Sequence, residues 1–112
     1  APLADMARFT RALLTGGVFR RAETLALMQS NVIPARYGAG ARARDFGLGL
    51  YAQTLAGERA WGHSGFWSTA AFHVPTLDAT VAAAVLQARS GAVMATLLDG
   101  AVRAVQDSPR TR

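Results

Sequence analysis

Along this chain the hydrophobic period switches twice, from helical spacing to extended runs and back to helical spacing. From Leu3 to Leu14 the apolar residues Leu3, Met6, Phe9, Leu13 and Leu14 fall on one stripe, and Gly16-Gly17 supplies a stop, so an amphipathic helix is expected there. A second, short helix is expected over Ala22 to Gln29, with Glu23 in its first turn and Met28 as a core residue. From Ser30 to Asp45 the text holds Pro34, Gly38, Gly40 and three arginines without periodicity, which predicts a loop.

Beyond it the pattern is extended. Phe46 to Leu55 reads as one strand, with a turn at Ala56-Gly57-Glu58 and a returning strand over Arg59 to Phe66. Ser68 to Val74 follows as a third strand. Pro75 and Asp78 mark a turn into an almost wholly apolar fourth, Thr80 to Ala88. Helical spacing returns from Gly91 to Gln106 through Val93, Leu97, Leu98, Ala101, Val102 and Val105, and Asp107-Ser108-Pro109 ends it. The expectation is an α+β fold, an antiparallel sheet flanked by helices, with the last helix across one face and the first close to the other.

With 112 residues, 51% of them apolar, the chain supports one core, and a disordered or collagenous chain is excluded. Cysteine is absent, so no disulfide framework and no thiolate metal site is available. Every apolar run is interrupted well short of a membrane span. No leader is visible after Ala1, and localisation stays open.

The net charge of +5 comes from twelve basic residues against seven acidic ones, and all twelve are arginine, since the chain has no lysine. They occur singly or in pairs with no nucleic-acid-binding motif beside them, which favours solvated surface charge over nucleic acid.

Chemistry concentrates in Trp61-Gly62-His63-Ser64-Gly65-Phe66-Trp67. Adjacent side chains on a strand point to opposite faces, so His63 and Ser64 do not form a nucleophile and base dyad, and Ser64 is a poor nucleophile. Gly65 marks a bulge or a close approach, and a backbone N–H beside it suits an oxyanion hole. Read alone, His63 is a strand-end histidine satisfied by backbone or water. His73 reads as structural, Asp78 belongs to the turn, and Trp61 and Trp67 serve equally as packing residues or substrate contacts.

In order and spacing these residues resemble the serine β-lactamase and penicillin-binding-protein superfamily, in particular its class C, D-alanyl-D-alanine carboxypeptidase and esterase branches. His63-Ser64-Gly65 matches the His-x-Gly variant of that family's Lys-Thr-Gly strand. The stretch Ala4-Asp5-Met6-Ala7-Arg8-Phe9, the turn Leu13-Leu14-Thr15-Gly16-Gly17, the strand Phe46-Gly47-Leu48-Gly49-Leu50 and the closing helix match around it. Histidine in place of the triad lysine leans toward the peptidase and esterase branches.

The resemblance implies that residues 1–112 are the C-terminal portion of one β-lactamase-like domain: helices over 1–29, a loop over 30–45, antiparallel strands over 46–88 and a helix over 91–106. It implies a serine hydrolase that cleaves an amide or ester through an acyl-enzyme, with Ser-x-x-Lys and Tyr-x-Asn upstream. Neither motif occurs here, since there is no lysine and neither Tyr37 nor Tyr51 is followed two positions on by Asn.

His63 then hydrogen-bonds into the Tyr and Ser network, and the Phe66 N–H takes the second oxyanion-hole position. Ser64 meets the substrate's polar end, Gly65 leaves room for the nucleophile's helix, and Trp67 joins the substrate-binding set. No cofactor or metal is implied. The expected partners are the N-terminal half or a second copy, with a small acyl substrate in the complete enzyme. The competing expectation is a non-catalytic binding module on the same fold.

Overall fold

The computed structural model describes residues 2–30, 32–35, 42–87 and 90–109. The sheet is organised by the turn at Ala56-Gly57, where both residues have positive φ, 49° and 82°. A two-residue turn of that hand matches the twist of the strands it joins. It pairs Leu55 with Glu58 and, counting back, Tyr51 with Gly62. β3 (Tyr51–Leu55) and β4 (Glu58–Ser64) are the two arms of this hairpin.

Outward from it run β2 (Arg44–Phe46) and β1 (Ile33–Ala35) on one side, β5 (Thr69–Val74) and β6 (Ala79–Ala84) on the other. The result is a six-stranded antiparallel meander in sequence order. Among the described residues three α-helices complete the α+β fold: α1 (Leu3–Leu14), α2 (Ala22–Met28) and α3 (Gly91–Asp107).

Alternation gives the sheet two unlike faces. Tyr51, Leu55, Ala60, Ala70, Phe72, Val74 and Val81 share one face and pack with Met94, Leu98 and Val102, one row of α3 at four-residue spacing. Leu50, Ala52 and Trp61 form a smaller cluster with Leu13 and Leu14 of α1 and Leu25 and Met28 of α2. α3 covers the first face and α1 lies against β5 and β6 on the other. β6 touches both α1 and α3, and contact on both faces accounts for its almost wholly apolar sequence.

Several boundaries differ from the sequence expectation. The segment expected as a loop over 30–45 contains β1 and begins β2, while 36–41 lies outside the described residues. Both strands are three residues long, too short to show a period, and Pro34 is tolerated because β1 is an edge strand. The single strand expected over Phe46 to Leu55 is two strands. Gly47 N–H turns back to the Leu50 carbonyl at 2.8 Å, and a Cβ on Gly47 would lie 2.0 Å from the Met28 carbonyl oxygen. α2 presses on the chain there and the strand breaks.

The returning strand stops at Ser64 rather than Phe66, and the last strand runs from Ala79 to Ala84 rather than from Thr80 to Ala88. Leu86, at φ 62°, ends extended geometry before Ala88, which lies outside the described residues. No helix among the described residues is long and apolar enough to cross a membrane.

Candidate active site

β4 pairs with β3 as far as Gly62 but with β5 as far as Ser64, so the end of β4 runs on past its first neighbour. The strand reaches this point through a glycine that the packing demands. A Cβ on Gly62 would stand 1.9 Å from the Ala71 carbonyl oxygen, so β5 crosses closer here than any side chain permits. Tyr51 and Phe72 flank Gly62 on the two neighbouring strands, with ring centroids 5.3 Å apart and edge-to-face.

His63, Thr69 and Ala71 share the α1 side of the sheet and line a cavity of about 360 Å³ with Met6, Phe9, Thr10 and Leu13 of α1. Gly49, Leu50, Gly62, Ser64 and Gly65 complete it. His63 is exposed, and its ring stands edge-on to Tyr51 at 5.4 Å. The walls are mostly apolar, with one imidazole-bearing and three hydroxyl-bearing residues, His63, Thr10, Ser64 and Thr69, among them, the composition of a site for a small organic ligand.

Ser64 points away from His63, as alternation requires. Its Oγ lies 2.8 Å from the Tyr51 hydroxyl, which is buried. Burial pushes the Tyr51 phenol above its ordinary value, ahead of the opposing effects of the Ser64 hydrogen bond and of the Arg44 guanidinium, 4.5 Å from the ring centroid. In a hydrogen bond between a neutral phenol and a hydroxyl, the donating oxygen can still accept, and the accepting oxygen keeps its own proton and a lone pair. Ser64 therefore keeps capacity for a ligand while Tyr51 fixes its rotamer.

After β4 the chain makes a four-residue turn, Gly65 to Ser68. The Ser68 N–H donates to the Gly65 carbonyl at 3.0 Å and the Gly65 N–H to the Thr69 carbonyl at 2.8 Å. Phe66 occupies the second position of this turn, whose N–H takes no part in the turn's own hydrogen bond. Phe66 and Trp67 are both exposed and pack edge-to-face with centroids 5.1 Å apart.

His63, Ser64 and Gly65 thus meet at one cavity, while Phe66 and Trp67 sit on the turn beyond it. Trp61 belongs to the core, under the Arg59 guanidinium. His73 is buried, with Nδ1 2.9 Å from the Thr80 hydroxyl oxygen. Asp78 is left-handed at φ 47° and accepts two bonds from Arg11, one on its carboxylate at 2.8 Å and one on its carbonyl at 2.9 Å, tying the β5–β6 turn to α1. No cluster of three or more His, Asp or Glu capable of holding a metal occurs among the described residues.

Sequence reasoning passed over Tyr51 and the α1 wall of the cavity. The signal for Tyr51 was present in the turn: treating Ala56-Gly57 as a two-residue connection places Tyr51 opposite Gly62, one pair short of the motif.

A protein-family model described as Beta-lactamase matches residues 1–107. No curated protein and no solved structure matches the chain.

Proposed function

The chain belongs to the beta-lactamase family, and on that premise we propose that it is the C-terminal part of a serine hydrolase that opens an amide or ester through an acyl-enzyme. The observation that carries the reading is the placement of His63, Ser64 and Gly65 on a strand end beside a cavity walled by α1. These residues contain no Ser-x-x-Lys. The nucleophile and its lysine are supplied by a preceding segment that seats against this end of β4.

The chemistry divides accordingly. The incoming serine oxygen bonds to the substrate carbonyl carbon, the carbonyl oxygen becomes an oxyanion, and the leaving nitrogen or oxygen departs with a proton. Water then cleaves the acyl ester and regenerates the serine.

The part of this chain in that sequence is positional and electrostatic. The Phe66 N–H at the turn faces the developing oxyanion as its second donor. His63 joins the proton-carrying network on the α1 side, and Ser64, held by Tyr51, meets the polar end of the substrate. Gly65 leaves space for the nucleophile's helix.

Exposed Leu3 and Phe9 on α1, Leu27 on α2 and Leu48 beside it support the presence of a covering segment. An N-terminal half of the same domain or a second copy supplies it.

The test is the intact mass of the polypeptide that carries these residues after exposure to an activated ester or a β-lactam. An increment equal to the acyl group, mapped to the serine of Ser-x-x-Lys, supports the reading. No adduct at any concentration overturns it and leaves the non-catalytic binding module.

A further inference from the structure

We infer that Phe66 and Trp67 form a seat for an aromatic acyl group, so that the substrates of this site carry an aryl side chain next to the reacting carbonyl. The inference rests on the hydrolase reading above and names the substrate class for that same site.

The first observation is that the turn bearing these rings is held at both ends. Its own two hydrogen bonds close it, and the Ser68 carbonyl accepts the Val85 N–H at 2.8 Å, which ties it to the chain beyond β6. Ser68 is 7% exposed and sits at φ 56°. The two central residues therefore project from a fixed backbone.

The second observation is what they are. The middle of such a turn suits Gly, Asn, Asp, Pro or Ser, whose backbones or short side chains favour it. Here it holds two large aromatics, Phe66 71% and Trp67 63% exposed. Leaving that much ring surface in water stabilises nothing in this fold. The rings nonetheless pack on each other, with planes 89° apart and centroids at 5.1 Å, and both stay largely exposed. A third ring packs well against such a pair at a centroid distance of about 4.5–7 Å.

The third observation is the neighbouring space. Gly65, immediately before Phe66, lines the cavity of about 360 Å³, and the exposed Phe9 lines its α1 wall. A two-carbon acyl group leaves most of that volume empty. An arylacetyl group fills more of it, beside Gly65 at the start of the turn.

The experiment compares phenylacetyl and acetyl thioesters of one thiol, using the polypeptide that contains both these residues and the nucleophile. The wild type is expected to prefer the phenylacetyl ester, and Trp67→Ala to lower the ratio of the two kcat/KM values by about tenfold, through KM. An unchanged ratio in Trp67→Ala overturns the inference, as does a variant that alters only the oligomeric state by sedimentation, which marks the rings as a protein interface.

If neither thioester acylates the wild type, the hydrolase reading fails by itself. The seat is then decided by titrating phenylacetamide and following the Trp67 indole N–H by NMR: a saturable shift lost in Phe66→Ala sustains it, and no shift overturns it.

Discussion

The Tyr51 hydroxyl lies 2.8 Å from Ser64 Oγ, so a residue of the hydrophobic core holds the middle residue of the motif from beneath. Tyr51→Phe removes one hydrogen bond and leaves the ring contacts with Phe46, His63 and Phe72 in place. The expected loss is about 1 kcal/mol, because Ser64 is only half-buried and its hydroxyl regains water. The midpoint of urea denaturation measures it. Tyr51→Ala empties a large core position and is expected to cost about 4 kcal/mol.

Two glycines separate packing from conformational freedom. Gly62→Ala places a methyl 1.9 Å from the Ala71 carbonyl oxygen, and β4 and β5 must part to admit it. A loss of about 3 kcal/mol or more is expected. Gly100, inside α3, has nothing within 4 Å of the position a Cβ would take. Gly100→Ala is therefore expected to raise stability by roughly 0.5–1 kcal/mol. Thermal melts of the two variants check the opposite signs.

Acid stability is expected to fall in two separate windows. Burial, then the nearby Arg11 cation, lowers the pKa of His73, against a smaller opposing effect of Asp78. The unfolded chain binds that proton more readily, so the contribution is complete above about pH 6.5 and is lost as pH falls below it. His73→Gln is expected to flatten this upper window.

Asp99 is held below the usual carboxylate range, chiefly by its hydrogen bond from Arg42. The Ala56 N–H at 3.0 Å adds to this, pinning the β3–β4 turn to α3. Its contribution is present above about pH 4 and lost below, as the carboxylate protonates. Asp99→Ala is expected to cost roughly 2 kcal/mol at neutral pH and to remove the lower window. Denaturant midpoints from pH 3 to pH 8 measure both.

The helices could be read from the sequence: α1 and α3 each have a stripe and a stop, and α2 has a first-turn glutamate ahead of apolar residues. α1 spans the expected residues, and α2 and α3 each differ by a single residue at one end. Strand ends were less legible, because contacts distant in sequence set them. Gly47 breaks a run of good strand formers only because α2 sits against it, and nothing local to Ile33–Ala35 announces an edge strand. The His63-Ser64-Gly65 strand could be found as a motif. The cavity beside it was not visible, because one wall comes from α1, some fifty residues earlier in the chain. Alternation alone correctly separated His63 from Ser64, while the partner of Ser64 required the register.

On the proposed reading, the end of β4 serves an acyl-transfer site completed by a Ser-x-x-Lys segment. The most direct measurement is the acylation rate of the polypeptide containing both, with an activated ester, for three variants shown to be folded. His63→Ala and Gly65→Val are expected to slow acylation by about 10²- to 10³-fold. Arg8→Ala, at an exposed position of α1 that does not line the cavity, is expected to stay within twofold. Equal and small effects at all three positions contradict the account, because the motif is then a structural strand and nothing more.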